Sequence, residues 1–599
     1  MPGWLGDNIV TIVNGVSFGL LLYLLAVGLS IMYGMLGVLN LAHGALYLIG
    51  GYVAVVIVAG DMSWTTFLLA LTVAALAGGL GGAGLALATR PVSKRGRMHE
   101  ALLTLGVALA ATTLLTVFFG GEPRSVPVPE VLSGSVDLLG HDYPVYRLAV
   151  IVLGLLIALG VELLLEHTSL GATVRAIVAD RDMAQALGID VRKVYIGVFS
   201  AGSALAMVCG VLGSPILGVG PGVDGQVLLI ALVVVVVGGL GSARGALFSA
   251  VPIGIVQNVG TALVPPARTI PAVRRDDDPA GVAAAGPRPR QGAGGLMKNV
   301  LGAVTSVVLV GLPFVADTYA IATITQIVTY SLLALSLLLM MGHAGMPSLG
   351  QAGFFGVGGY TAGLVAMHWT SNAVLVLLSA VLAATAVAAG TGWLLVRSKH
   401  SYLIMLTLAI GEILSFVAIA WVSVTGGSDG LANVPYFTLA PADLSIPGQV
   451  YWFVLVVAAV IVLVLRQLLR SPFGRSVRGI RDNEQRMRAL GYRTRVYKFA
   501  VLCVAGAISG AAGALWVTQT HYISPGDMGF LASAFALLAV VIGGVHSMWG
   551  VTLGAAVIIL VQNLLPEDLQ GAGPLVLGLV LVLAVYLLPN GIASVRVRT

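Results

Sequence analysis

Charge is what this sequence has least of. Only 9% of its 599 residues are charged, where soluble domains carry about a quarter. That scarcity excludes an ordinary soluble domain, and it makes the net charge of +6 a topology signal rather than a nucleic-acid signal. Cysteine is nearly missing: Cys209 and Cys503 both lie inside apolar runs, where packing accounts for them. None of the lysines, Lys94, Lys193, Lys298, Lys399 and Lys498, follows a glycine, so the phosphate-binding pattern G-x-x-x-x-G-K-[ST] does not occur. No His/Cys/Asp/Glu cluster has metal-ligand spacing, and no nucleophile–base pair stands out. No enzyme, metal or cofactor is expected, and energy taken from ATP would have to come through another protein.

What the chain has in excess is apolar length. Hydrophobic residues make up 58% of it and the mean hydropathy is +1.00. Apolar stretches of roughly 20 residues recur, the length a helix needs to cross a bilayer. A transmembrane barrel would show short alternating segments instead. The sequence predicts an all-α polytopic membrane protein. Its 78 glycines suit helices that pack closely in lipid. The apolar run after Asp7 is too long for a cleaved signal and reads as a retained first span.

The chain also says the same thing twice. One polar segment runs from Gly171 through Arg175, Asp180, Met183 and Leu187 to Gly188. Another runs from Gly474 through Arg478, Asn483, Met487 and Leu490 to Gly491, with the same spacing between its glycines. Each reads as a short helix, a capping Asp180 or Asn483 and a second short helix, because those side-chain oxygens can accept from N–H groups at the next helix start. Val174, Ile177, Met183 and Leu187 predict one apolar stripe, and Val477, Ile480, Met487 and Leu490 its counterpart. A single basic loop of this kind would suit a helix lying on lipid headgroups. Two loops of equal length need something outside the membrane to hold them.

Basic residues mark the cytoplasmic side. Arg90, Lys94, Arg95 and Arg97 form one such loop, Arg397, Lys399 and His400 its match, and the two paired segments are rich in arginine. The long loops at about 121–143 and 424–449 hold almost no Lys or Arg and belong outside. Threading from these anchors predicts two parallel pseudo-repeats of about eight and nine transmembrane helices. Predicted spans include 39–60 and 224–241 in the first half, and 299–316, 349–367 and 551–588 in the second, the last divided at Pro566-Glu-Asp568. Leu103-Thr104-Leu105 matches Leu406-Thr407-Leu408, Gly238-Gly239 matches Gly543-Gly544, and Gln257-Asn258 matches Gln562-Asn563. Matched loops fall on one side, so the repeats are parallel, with a path expected at their interface.

Residues 265–296 break this pattern: they are rich in Pro, Gly, Ala and Arg and read as a disordered linker. The chain therefore divides into 1–264, the linker and 297–599, with Met297 as an ancestral start. The second half ends on an apolar run that the first half lacks after Asn258, which leaves one crossing missing. Arg and Asp each cost about 2.5–3.5 kcal/mol at mid-bilayer, so the linker does not insert unaided. Its composition is what a GC-rich helix-coding stretch gives when read out of frame, so 272–296 is expected to be the relic of a lost final helix.

Polar residues inside the apolar spans are the remaining signal. Asn40, His43, Thr104, Ser348, Gln351, Thr407 and Glu412 would be costly facing lipid and should face the interior or the path. Hydrogen bonding between helices accounts for them as well as substrate contact does. Glu412 has no acidic match in the first half, where Leu109 takes its place.

The paired loops resemble the coupling-helix loops of ATP-binding-cassette importer permeases. Gly34-Met-Leu-Gly-Val-Leu-Asn40-Leu-Ala-His43-Gly44 through Tyr52 is similar to the signature of the H-type subunit of branched-chain amino acid permeases. Gly342-His-Ala-Gly345-Met-Pro-Ser348-Leu-Gly-Gln351 through Tyr360 is similar to that of the M-type subunit, except that Met346-Pro347 replaces the usual polar-then-aliphatic pair. The resemblance covers nearly all of both halves. It implies a fused permease of the inner membrane, two cytoplasmic ATPase subunits on the paired loops, and an extracytoplasmic binding protein on the outer loops. It implies branched-chain amino acids as substrate, with urea and short amides carried by relatives. The rival is an ion-coupled secondary transporter, which needs paired intramembrane carboxylates; only Glu412 qualifies.

Overall fold

The computed structural model describes residues 2–37, 39–58, 63–93, 97–138, 141–239, 241–263, 316–398, 400–439, 442–564, 573–587 and 591–592. The linker, the Met297 start, most of the expected span at 299–316, Lys94, Arg95, Lys399 and Pro566-Glu-Asp568 lie outside these residues.

Half one contains α1 Pro2–Leu36, α2 His43–Val58, α3 Trp64–Ser93, α4 Arg97–Phe119, α5 Val145–His167, α6 Ser169–Ala179, α7 Arg181–Ala186, α8 Val191–Leu217, α9 Val223–Gly238 and α10 Ala243–Leu263. Half two repeats the series as α11 Thr318–Leu338, α12 Gln351–His368, α13 Ala373–Leu395, α14 His400–Ala420, α15 Pro447–Arg470, α16 Pro472–Asp482, α17 Glu484–Ala489, α18 Thr494–Thr520, α19 Phe530–Gly543 and α20 Met548–Leu564. A further helix, α21 Gly573–Leu587, has no counterpart among the described residues of half one. Ten of the described helices are long and apolar enough to cross a bilayer, and α2, α9, α19, α20 and α21 are shorter apolar helices.

The repeat is a repeat of packing as well as of sequence. Helix α1 lies along α10, and α11 along α20; α8 is held between α2 and α3, and α18 between α12 and α13. The tightest crossings also match. A Cβ on Gly210 of α8 would sit 1.9 Å from the Tyr47 carbonyl oxygen of α2, and one on Gly513 of α18 would sit 1.9 Å from that of Phe355 in α12. Only glycine lets these backbones approach so closely, as in other membrane helix pairs. On the outer side each half carries one antiparallel bridge, Arg124 with Val219 and Leu431 with Ile523, beside a short two-stranded hairpin.

Several expected spans are shorter than the sequence suggests, among them 530–549, which ends as a helix at Gly543. Helix α2 begins at His43 rather than residue 39, α12 at Gln351 rather than 349, and α9 ends at Gly238 rather than 241. Hydropathy does not distinguish a helix from the irregular apolar backbone leading into it. The region 551–588 divides as expected, into α20 and α21.

The halves are stitched together unequally. Helix α21 packs on α4 of half one, where the Gly106 and Gly578 backbones meet, and the Tyr586 hydroxyl donates to the Ala88 carbonyl. Helix α14, the match of α4, touches α9 of half one. A Cβ at Gly578 would lie 2.7 Å from the Gly106 oxygen, so Gly578→Leu should push α21 off α4, an overpacking cost of about 1–3 kcal/mol. Protease accessibility of the C-terminal helix in purified protein checks this. Gly79→Leu, with nothing within 4 Å of its Cβ, should leave the digestion pattern unchanged.

Candidate functional site

The two paired loops fold to the same backbone. Each starts where a hydroxyl caps a short helix: the Thr168 side chain accepts from the Gly171 N–H at 3.1 Å, and Ser471 from Gly474 at 3.5 Å. A Cβ at Gly171 would meet the Leu165 oxygen at 2.2 Å, and one at Gly474 the Leu469 oxygen at 2.4 Å, so both loops turn too sharply out of α5 and α15 for a side chain. The bend between the short helices is capped as the sequence predicts. Asp180 accepts from Asp182 and Met183, both at 3.0 Å, and Asn483 from Arg486 at 2.9 Å. Both loops end on a left-handed glycine, Gly188 at φ 83° and Gly491 at φ 87°, with Ile189 donating back to Ala184 and Tyr492 to Met487.

The predicted apolar stripes split in two. Ile177, Val477 and Ile480 are buried against the membrane helices. Leu187 and Leu490 point away, 74% and 66% exposed, and Met183 is 58% exposed. Met487 is not the match of Met183; it takes the place of the buried Ala184, with its sulfur over Gly479. The outward pair at equal spacing is Leu187 and Leu490.

Beneath that common backbone the anchors differ. Loop one rests on a small apolar cluster of Ile177, Ala184 and Val191, and Arg175 pairs with Glu166 at 3.7 Å. Loop two is tied by charge. Glu484 accepts from Lys498 at 2.5 Å, Arg488 at 2.6 Å and Thr494 at 3.1 Å. Partial burial pushes the Glu484 carboxyl up, but Lys498, Arg488 and Thr494 outweigh it and hold the carboxyl below the ordinary carboxylate range. Arg481 reaches further: its Nη1 donates to the Gly342 carbonyl at 2.6 Å, in the π-helical turn Leu339–His343 that ends α11. A π turn frees carbonyls from the helix ladder, and Arg481 takes one of them. In half one the matching position is the apolar Val178, whose Cγ1 would lie 3.7 Å from a Cβ built on Gly241. Arg478 lies in the electrostatic field of the same turn, near His343.

The polar residues of the signature segments all lie in the interior. Asn40, His43, Thr104, Ser348, Gln351 and Thr407 are buried. Their bonds go to the chain itself. The Thr104 hydroxyl accepts from the Leu41 N–H at 3.0 Å and Thr407 from Leu349 at 3.1 Å, across the breaks that precede α2 and α12. Asn40 accepts from Ala42, and Ser348 from Gly350, closing the same turns. His43 Nε2 bonds to the Leu25 carbonyl, while Gln351 donates to the Met340 sulfur. Glu412 is half-buried and accepts from the Phe530 N–H at 2.7 Å. A cavity of about 310 Å³ is lined by apolar side chains of α3, α5 and α8 such as Phe67, Leu153 and Leu156; its walls do not suit a polar substrate. No metal-ligating group of three occurs among the described residues.

Sequence reasoning missed Thr168 and Ser471, Glu484 and Arg481. A hydroxyl three residues before each loop glycine was the available signal for the first two.

Comparison with known proteins gives the sequence a family. The model of the family described as branched-chain amino acid transport system / permease component matches twice, over residues 11–273 and 319–586. The chain belongs to that permease family. It is 31% identical over 325 residues to the high-affinity branched-chain amino acid transport system permease protein LivM of Escherichia coli K12, covering 50% of this chain and 76% of that protein. It is 28% identical over 265 residues to the LivH permease protein of Salmonella typhimurium, covering 42% of this chain and 84% of that protein. The expected fused H-type and M-type permease, a multi-pass inner-membrane transport protein, stands over the ion-coupled alternative.

The Glu484 anchor of the permease predicts a pH response. A carboxyl held below its usual range stabilises the fold above its ordinary value of 4.5, and that contribution is lost as pH falls through its folded value. Cleavage within α17 by a pepsin-class protease should therefore speed up as pH falls below the carboxyl's ordinary 4.5, beyond that protease's own pH dependence, whereas trypsin at neutral pH should cut at Arg486 and Arg488 slowly. Glu484→Gln should be cleaved quickly at every pH.

Proposed function

We propose that this chain supplies both transmembrane subunits of an ATP-driven importer of branched-chain amino acids, fused end to end. What carries the proposal is the pair of cytoplasmic loops α6–α7 and α16–α17. They share a backbone and present one exposed leucine each, Leu187 and Leu490, at the same register. Two such knobs suit two like partners, and a chain without its own nucleotide-binding motif needs two ATPase subunits there. Closure of the ATPases would move the loops and rock one half against the other. Gly171, Arg175, Asp180, Met183, Gly188, Gly474, Arg478, Asn483, Met487 and Gly491 shape or flank those knobs. An extracytoplasmic binding protein docks on the outer hairpins. The buried signature residues, Asn40, His43, Thr104, Ser348, Gln351 and Thr407, act as the framework of the path.

Uptake of labelled leucine into vesicles should require the chain, two copies of an ATPase and a binding protein together. Cysteines placed at Leu187 and at Leu490 should each crosslink to one ATPase subunit. Gly188→Val or Gly491→Val, at about 1–2 kcal/mol of left-handed strain each, should abolish uptake while membrane insertion stays intact. Crosslinking through only one loop would sink the two-partner reading.

The division into 1–264 and 297–599, with an out-of-frame relic between them, is part of the same proposal. Its support is on α14. On α4 of half one, Gly106 is buried under α21 and Ala110 lies at its edge. The matched residues on α14 are Ala409, half-buried, and Ile413, 60% exposed. A seat for a final helix of half one stands open there. Resequencing the gene across codons 260–300 decides it: the expected result is a restored frame encoding an apolar helix, followed by a separate start at Met297. One intact frame, with a single full-length membrane product, overturns it.

A further inference from the structure

Helices α9 and α19 begin at matched places in the two halves, α9 after a left-handed Gly222 and α19 after the extended Gly529 that follows a 3-10 turn, Pro525–Met528. A helix start in a low-dielectric setting leaves N–H groups without partners and a positive dipole end, so a carboxylate there is favourable. In half one Asp224 supplies it from the first turn of α9. The offset that pairs Gly238 with Gly543 pairs Asp224 with Gly529. Glycine brings no acceptor. Instead the Phe530 N–H donates to Glu412 Oε1 of α14 at 2.7 Å. A Cβ built on Gly529 would point to within 3.9 Å of that same oxygen. Each half thus sets a carboxylate at this helix start, carried by α9 itself in half one and by the neighbouring α14 in half two, where Asp527 of the preceding turn is taken up by Ser524.

A second tie follows the first. Ser415, one turn beyond Glu412 on α14, donates to the Pro525 carbonyl at 3.0 Å, in the turn that leads into α19. Its match in half one, Thr112, bonds only to Ala108 and Leu109 of its own helix. Helix α14 also packs on α9 across the boundary between the halves.

We propose that Glu412 is a positioning residue for translocation: it fastens the start of α19 to α14, so that the two move as one body, whereas α9 carries its own carboxylate and moves free of α4. Helix α14 then delivers the motion of half two to half one through its contact with α9. Only the transport readout of this proposal rests on the permease reading above.

The test exchanges the two solutions. Gly529 has φ −74° and ψ 177°, an extended conformation that aspartate adopts, and its nearest obstacle is the Gly526 oxygen at 3.5 Å. Three variants of the full chain are compared, Glu412→Gln, Glu412→Leu and Glu412→Leu with Gly529→Asp. Loss of a charge-assisted bond predicts that Glu412→Leu lowers the maximal uptake rate about tenfold or more with the transport KM unchanged. Glu412→Gln keeps an acceptor oxygen and should retain at least half the rate, and Gly529→Asp should restore most of what Glu412→Leu loses. Amide exchange over the segment starting at Phe530, measured on purified chain, should speed up about tenfold in Glu412→Leu and recover in the double variant. Equal loss in Glu412→Gln and Glu412→Leu with a raised KM would assign the carboxylate to a substrate ammonium and overturn the proposal. So would unaltered exchange in Glu412→Leu, full uptake by it, or no rescue by Gly529→Asp. If the unaltered chain takes up nothing with its partners present, the permease reading fails while the exchange result still decides the tether.

Discussion

Lipid cannot hydrogen-bond a peptide group, so any break in a helix inside the bilayer must be satisfied by the protein, at a cost of several kcal/mol for each group left over. This chain breaks twice at matched points, before α2 and before α12. At each break a threonine hydroxyl on α4 or α14 receives an N–H of the irregular segment, Thr104 for Leu41 and Thr407 for Leu349. The rest of the arrangement depends on those two bonds. They fix α4 and α14 beside the breaks, they let His43 and Gln351 open new helices inside the protein, and they leave α2 and α12 free to lie glycine-to-carbonyl on α8 and α18. Polarity in these signature segments is spent on holding the backbone together.

The cytoplasmic loops show how much two copies of one motif can diverge beneath an unchanged outline. Caps, glycine turns and exposed leucines are held in common. Below them loop one has an apolar seat and loop two an ionic one, built on Glu484 and Lys498, plus a direct bond from Arg481 into the π turn of α11. Loop two is thus bonded directly to a membrane helix through a charged side chain, and at the matched place in loop one stands the apolar Val178.

The class of fold and the repeat were legible because hydropathy and equal spacing survive in a bare string of residues. The loop caps were legible too: Asp180, Asn483, Gly188 and Gly491 follow from local backbone rules that need no tertiary knowledge. The roles of Thr104 and Glu412 were not. Each acts on a backbone group far away in sequence, 63 residues for Thr104 and 118 for Glu412, and no local pattern announces such a partner. The outward or inward sense of the loop stripes was lost for a related reason: a bend of one residue at Asp180 or Asn483 turns the second short helix over, so that one continuous periodicity does not describe both.

The seat of α21 on α4 also sets an order of events at the ribosome. Helix α4, residues 97–119, leaves the translocon early, with Gly106 bare on its flank, and the helix that covers it is made only at residues 573–587. In one chain or in two, half one carries an unclosed seam in the lipid until α21 of half two emerges to seal it. Pairing of this kind, distant in sequence, is slow and leaves surface exposed to wrong partners meanwhile. The membrane's own quality control therefore has a simple cue at its disposal, since a chain that stops short of α21 displays an open glycine edge in half one however well that half has otherwise folded.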